Sequence, residues 1–244
     1  MTRGRLRVFL GGAPGVGKTV AMLTEGHRLA AAGEDVVVGL VETHGRAFTT
    51  KQVEGLEVIP RQAVAHKGTS VLEMDLDAVL ERNPDVALVD EMAHTNPPSM
   101  RNAKRWQDIE ELLAAGIDVI STVNVQHLES LNDVVETITG VAQKETIPDA
   151  VLRAADQIDL VDLSPEALRQ RMAYGDIYKP EKIDAALANY FREGNLSALR
   201  ELALLWLADR VDEALARYRE DNSIEHAWPC LLYTSPSPRD RTRS

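Results

Sequence analysis

The stretch GAPGVGKT, residues 12–19, fixes the fold class of this chain. It fits the pattern G-x-x-x-x-G-K-[ST] at every fixed position, and this is the pattern of a phosphate-binding P-loop. A short apolar run, Leu6–Leu10, precedes it, and residues of helical composition, Lys18–Ala32, follow it. A buried strand before the loop and a helix after it are the context that a P-loop requires.

Each residue type in this loop has a physical reason. Glycines allow backbone N–H groups to turn inward around a phosphate chain, and the N-terminus of the following helix attracts the same phosphates. Lys18 supplies a point charge to the β- and γ-phosphate oxygens, and the hydroxyl of Thr19 is a candidate ligand for Mg²⁺. We therefore predict that the chain binds a purine nucleoside triphosphate together with Mg²⁺. The predicted cofactor-binding residues of the loop are Gly12, Gly15, Val16, Gly17, Lys18 and Thr19.

A second acidic residue for the magnesium follows a later apolar strand. The sequence Val86–Val89 is entirely apolar and is followed by Asp90 and Glu91. Asp90 is the predicted Walker B aspartate, which reaches Mg²⁺ directly or through water. Glu91 is a candidate catalytic base that would polarise an attacking water, with a solvated or partner-binding carboxylate as the alternative.

Further polar residues follow the other predicted strands, at the edge where ligands bind in open α/β sheets. Thr122 and Asn124 are candidates for sensing the γ-phosphate. Four cations lie just beyond these edges, and each could neutralise γ-phosphate charge or form an ion pair with a surface carboxylate: Arg46, Arg101, Lys104 and Arg105. A zinc site built from the histidines is a weaker alternative, because no element carries them at metal-ligand spacing. These histidines are His44, His94 and His127.

Strand-like and helix-like segments alternate along residues 1–163. Valine-rich runs such as Asp35–Val41 and Ile117–Val123 alternate with amphipathic stretches such as Ala103–Ala115. This alternation predicts βαβ crossovers in a P-loop NTPase-like α/β domain, with a mostly parallel sheet of about five strands and helices on both faces. Residues 164–220 are predicted to form a C-terminal helical appendage, with Asn195 as the cap of its long last helix.

Composition excludes several function classes. The formal net charge of −11, without a basic cluster in the core, argues against a nucleic-acid partner. The single cysteine, Cys230, excludes an internal disulfide and a zinc site built on cysteines. We find no apolar run of the roughly 18 residues that a membrane span needs, so we expect no membrane contact by this chain itself. Residues 221–244 are predicted to be a disordered or artefactual tail, because CLLYTSPSPRDRTRS, residues 230–244, resembles translated adapter sequence.

Several longer stretches carry a family resemblance. The segment Ala93–Val135, together with LRVFLGGAPGVGKT, GLVETHGR, LVDEMAHTN and RELALLWLADRVDEAL, closely resembles the N-terminal cytoplasmic domain of KdpD-type potassium-responsive sensor histidine kinases. The resemblance covers nearly all of residues 6–220, and the residues around Pro98 and Met100 depart mildly from the family pattern.

The resemblance implies a larger parent protein. Members of that family continue into a universal-stress-protein-like domain, four transmembrane helices and a histidine-kinase core that passes a phosphoryl group to a response regulator. The parent would then be an inner- or plasma-membrane protein, with this segment as a cytoplasmic regulatory ATP-binding module that tunes the balance of kinase and phosphatase activity. The predicted partners are ATP, the remaining domains and, through them, the response regulator. A free-standing P-loop ATPase or small-molecule kinase is the alternative.

Overall fold

The structure, a computed structural model, describes residues 2–66, 68–174, 186–187 and 189–221. The chain divides into two compact units, Met1–Leu205 and Trp206–Ser244. The predicted tail lies outside the described residues from position 222 onward. Most of residues 180–190, for which the sequence composition predicts a helix, also lies outside the described residues.

A six-stranded parallel sheet forms the centre of the first unit, in the order β3-β2-β6-β7-β1-β8. A separate antiparallel hairpin consists of β4 and β5. The strands are β1 (Leu6–Gly11), β2 (Val36–Leu40), β3 (Glu57–Val58), β4 (Gln62–His66), β5 (Thr69–Glu73), β6 (Val86–Val89), β7 (Asp118–Asn124) and β8 (Gln157–Val161).

Helices connect these strands and flank the sheet, so the predicted α/β fold is confirmed. They are α1 (Lys18–Ala31), α2 (Ala47–Val53), α3 (Leu76–Arg82), α4 (Arg105–Ala114), α5 (Asn132–Thr139), α6 (Asp149–Arg153), α7 (Pro165–Ala173) and α8 (Glu193–Asp221). Strands β2 and β6 are buried at every position, as expected for a parallel sheet covered on both faces.

The strand order determines which side chains meet at the carboxyl edge. Strand β7 lies between β1, which leads into the P-loop, and β6, which leads into Asp90. Gly11 on β1 is paired in register with Asn124 on β7. The end of β7 is therefore adjacent to both the glycine-rich loop after β1 and the turn at Asp90.

Three local features differ from the sequence expectations. The β4–β5 hairpin was not predicted, because its strands mix apolar and polar residues and stay largely exposed. The sequence pattern of residues 126–137 predicts one helix, but this segment begins as two short 3-10 turns and becomes α-helical only at Asn132. The predicted cap at Asn195 is wrong, because α8 begins at Glu193 and the Asn195 side chain donates to the carbonyl of Asn189.

Residues after position 163 pack directly on the back of the P-loop. Ala13 and Val16 share a buried apolar cluster with Leu168 and Met172 of α7 and with Leu196 of α8. A Cβ atom on Gly12 would lie 3.2 Å from the Cα of Arg200, which is a tight contact, so glycine allows the helix backbone to approach closely there. The predicted boundary at residue 163 stays a prediction, but the helices beyond it are part of the surroundings of the loop.

Candidate functional site

The P-loop and the ends of β6 and β7 line one cleft of about 910 Å³. Its lining includes Gly15, Gly17, Lys18 and Thr19 from the loop and the start of α1, and Asp90 and Glu91 from the turn after β6. This volume is within the range of about 300–1,000 Å³ that is typical of small-molecule sites. Of the remaining predicted residues, Thr122 and Asn124 also line the cleft, whereas Gly12, Val16 and Arg101 do not.

The loop has the backbone conformation that its glycines allow. Gly15 and Gly17 have φ angles of 88° and 109°, which side-chain-bearing residues rarely adopt, and Gly17 caps the N-terminus of α1. The first-turn N–H groups of α1, which have no partner within the helix, are the donors that bind anions at such ends. Gly12 and Val16 contribute differently, because Gly12 allows α8 to approach and Val16 is buried in the apolar cluster.

Lys18 is a buried cation. Its side chain is only 9% exposed, and Nζ donates a hydrogen bond to Oδ1 of Asn124. Burial lowers the pKa of Lys18 to about 8, although the nearby carboxylates of Asp90 and Glu91 act in the opposite direction. A buried ammonium group held mainly by a neutral amide fits a site for an additional anion, since a phosphate oxygen would restore its stabilisation.

Asp90 is buried opposite Lys18 and is held by donors from three elements. Its Oδ2 accepts from Oγ1 of Thr19 at 3.0 Å and from the N–H of Glu42 at 3.2 Å. Its Oδ1 accepts from Oγ1 of Thr122 at 2.5 Å. Burial, reinforced by the charge of Glu91, raises the pKa of Asp90, and these hydrogen bonds offset only part of the effect. A hydroxyl and a carboxylate in contact at the end of a P-loop form a donor set that suits Mg²⁺.

Glu91 is held in the cleft by His44. The two side chains lie 3.1 Å apart, between Nε2 of His44 and Oε1 of Glu91. Both residues have positive φ angles, 51° for His44 and 55° for Glu91, and such backbone strain in non-glycine residues often marks functional sites. Burial acts to raise the pKa of Glu91, but the hydrogen bond and charge of His44, together with the charges of Arg105 and His94, outweigh it and the pKa is lowered. Glu91 is therefore ionised at neutral pH, as a proton acceptor must be.

Arg105 supports this turn from behind. It is 2% exposed, its Nη2 donates to Oε2 of Glu73 at 2.9 Å, and its Nη1 donates to the carbonyl of Asp90 at 3.2 Å. Oε1 of Glu73 in turn lies 3.0 Å from Nε2 of His94. Arg105 thus holds the backbone of the turn at Asp90 and does not line the cleft. Sequence reasoning missed Glu73, because it lies on the unpredicted hairpin.

The arginines predicted near the phosphates lie in different places. Arg101 forms ion pairs with Asp77 and Glu111 at 3.0 and 3.1 Å, outside the cleft. Arg46 lines the cleft. Arg171, from α7, also lines it, and no sequence motif had pointed to this residue.

The histidine alternative finds no support among the described residues, where no group of three or more His, Cys, Asp or Glu side chains suits a metal ion. His44 and His94 each contact a glutamate, and Nδ1 of His127 donates to the carbonyl of Glu145 at 2.7 Å. In the described part of the chain, no helix has the length and apolar character needed to cross a membrane.

The fold and the site together define the class as a P-loop-like α/β domain. The family model described as "Osmosensitive K+ channel His kinase sensor domain" matches residues 2–211, and the chain belongs to this KdpD family.

Similar proteins agree with this assignment. The chain is 62% identical over 226 residues to the sensor protein KdpD of Mycobacterium tuberculosis, covering 93% of this chain and 26% of that protein. It is 57% identical over 223 residues to the sensor protein KdpD of Rathayibacter rathayi, covering 91% of this chain and 26% of the relative. It is 55% identical over 226 residues to the sensor protein KdpD of Escherichia coli K12, covering 93% of this chain and 25% of the relative. The chain therefore spans about a quarter of the length of these relatives.

Proposed function

We propose that this chain is a nucleotide-responsive regulatory domain that binds ATP with Mg²⁺ in the P-loop cleft. The observation that supports this most directly is the juxtaposition of buried Lys18 and buried Asp90, joined through Thr19, beneath a loop of positive-φ glycines. Burial of unlike charges without a direct ion pair is costly, so such an arrangement is expected where a ligand completes the site.

Different residues of the cleft would bind the phosphate chain and the metal ion. The first-turn N–H groups of α1 and the ammonium of Lys18 would hold the phosphate chain. Thr19 and Asp90 would hold Mg²⁺, directly or through water, and the metal would neutralise phosphate charge. Asn124 orients Lys18 through its amide oxygen, and Thr122 orients Asp90 through its hydroxyl.

The relatives are named as sensor proteins, and the chain covers about a quarter of each. We therefore propose that the domain belongs to a two-component sensor histidine kinase that responds to potassium and is anchored in the inner or plasma membrane. In it, Mg-ATP occupancy of this cytoplasmic domain would bias the balance of kinase and phosphatase activity, and the response regulator would receive the output. The contact of α7 and α8 with the back of the P-loop supports a relay through these helices.

A second candidate function is slow hydrolysis of ATP, which the Glu91–His44 pair favours. The ionised Glu91 carboxylate lines the cleft beside Asp90, where it could accept a proton from a water that attacks the terminal phosphate. Hydrolysis would then reset the occupied state.

Titration calorimetry of the chain with Mg-ATP tests the proposed function. We expect a saturable 1:1 signal for the unmodified chain, at least a tenfold loss of affinity in Lys18→Ala, and unchanged affinity in Lys51→Ala. Lys51 is a suitable control because it is an exposed lysine on α2 that does not line the cleft. Tight Mg-ATP binding by Lys18→Ala would defeat the proposal, and parallel titrations with GTP establish the base preference.

A further inference from the structure

Helix α7 places one arginine side chain at the cleft, and no described residue pairs with it. Arg171 lines the cleft and is half-buried, and it has no hydrogen-bond or ion-pair partner among the described residues. Other arginines of the helical appendage are engaged, since Arg169 donates to the carbonyl of Leu187 and Arg200 pairs with Asp162. A guanidinium that lines the cleft and has no acceptor among the described residues is available to an anionic ligand, since all five of its N–H groups are donors.

The position of Arg171 relates it to one part of the phosphate chain. A Cβ atom on Gly17 would lie 3.7 Å from Nη1 of Arg171. Gly17 caps α1, and the backbone N–H groups at this point of a P-loop surround the α- and β-phosphates, whereas the lysine reaches the β- and γ-phosphates. Arg171 therefore lies beside the α/β side of the phosphate cradle.

Packing fixes this position. Leu168 and Met172, on the buried side of α7, belong to the apolar cluster that contains Ala13 and Val16 of the loop. Residues three apart on a helix share a face, so Arg171 and Tyr174 both turn toward the cleft, and both line it. Tyr174 is 79% exposed, so its ring is accessible to an aromatic base.

Building on the proposed function, we infer that α7 completes the nucleotide site, with Arg171 binding the α/β-phosphates and Tyr174 stacking on the purine base. The ligand class is a nucleoside di- or triphosphate, since the contacts of both residues lie away from the γ-phosphate. Nucleotide binding thereby joins the P-loop to the helical appendage through direct contacts, in addition to the apolar packing behind the loop.

Calorimetric titrations of the whole chain with Mg-ATP, Mg-ADP and inorganic pyrophosphate separate the two roles. We expect Arg171→Ala to weaken binding of all three ligands by about tenfold, because each loses a charge-assisted hydrogen bond. Arg171→Lys should recover only part of this affinity, since lysine lacks the planar pair of donors. Tyr174→Ala should weaken Mg-ATP and Mg-ADP by about fivefold and leave pyrophosphate unchanged, and Tyr174→Phe should bind as the unmodified chain does.

Arg3→Ala is the matched control, because Arg3 is exposed and precedes β1 at the opposite edge of the sheet. Thermal unfolding of each variant checks that the fold is kept. Unchanged affinity of Arg171→Ala for all three ligands, in a chain that itself binds Mg-ATP, would overturn the inference and leave the proposed function intact. Failure of the unmodified chain to bind any nucleotide would defeat both.

Discussion

Oγ1 of Thr19 donates a hydrogen bond to Oδ2 of Asp90 at 3.0 Å, joining the first turn of α1 to the end of β6. The two residues are far apart in sequence, and β7 separates the strands that carry their elements. In the proposed function this contact is replaced by a shared Mg²⁺, because both oxygens would then face the metal.

The first prediction tests that exchange. Thr19→Val should weaken ATP binding in the presence of Mg²⁺ by about tenfold, because one metal ligand is lost, and should leave binding in EDTA unchanged. Thr19→Ser keeps the hydroxyl and is the control. Calorimetry with and without Mg²⁺ measures the difference, and an equal loss of affinity under both conditions would contradict a metal-binding role.

The second prediction concerns Glu91. If the chain hydrolyses ATP, Glu91→Gln should slow phosphate release by about 100-fold, because glutamine cannot accept the proton, and should leave the affinity for Mg-ATP within about twofold. Release of phosphate in single-turnover assays gives the rate, and calorimetry gives the affinity. Equal rates in the variant and the unmodified chain would remove Glu91 as the base.

The third prediction concerns the ion pair behind the site, where Arg105 and Glu73 are 2% and 9% exposed. Arg105→Met should lower the free energy of unfolding by about 3–5 kcal/mol, because it leaves the buried carboxylate of Glu73 without its arginine partner. Adding Glu73→Gln should recover at least about 1 kcal/mol, since the uncompensated charge is then removed. Urea unfolding of the single and double variants measures both terms. Strictly additive losses would show that the two side chains are not coupled.

Sequence patterns predicted the parts of this molecule that local chemistry determines. The P-loop, the apolar strand before Asp90 and the alternation of strands and helices each depend on neighbouring residues, and the α/β fold that they predicted is confirmed.

Features that depend on distant contacts escaped prediction. From the sequence, Arg105 was a candidate phosphate-binding cation. In the structure, the hairpin places Oε2 of Glu73 2.9 Å from Nη2 of Arg105, so the guanidinium binds this carboxylate. Arg171 belongs to no sequence motif, and its position in the cleft follows from the packing of α7 on the loop. Gly12 fitted the loop pattern, but the additional reason for a glycine there is the backbone of Arg200, which is remote in sequence.

The fourth prediction concerns pH. Burial lowers the pKa of His127 below its ordinary value, so the unfolded chain binds this proton more readily than the folded chain. The free energy of unfolding should therefore rise with pH over the range in which His127 titrates. The contribution of neutral His127 to stability is lost as the pH falls below about 6.5. His127→Gln removes this dependence.

The comparison of the unmodified chain with His127→Gln isolates the contribution of His127. This comparison is needed because the hydrogen bond with Glu91 raises the pKa of His44, so His44 changes stability with pH in the opposite direction. Urea unfolding at about pH 7.5 and about pH 5.5 gives the comparison. The loss of stability on acidification should be smaller in His127→Gln, and an equal loss in both proteins would show that His127 is charged in the folded state.

The fifth prediction follows from the packing of α8 on the P-loop. Leu196 is buried in the apolar cluster behind the loop, whereas Leu204 on the same helix is 44% exposed. Leu196→Ala should cost about 2–5 kcal/mol of unfolding free energy, and Leu204→Ala less than about 0.5 kcal/mol.

Hydrogen exchange then tests the proposed relay from the nucleotide cleft to α8. Mg-ATP should slow amide exchange in residues 196–205 of the unmodified chain, because an ordered loop restrains the helix packed on it. That protection should persist in Leu204→Ala and fall in Leu196→Ala at saturating nucleotide. Equal protection in the two variants would show that the apolar cluster does not transmit occupancy of the cleft.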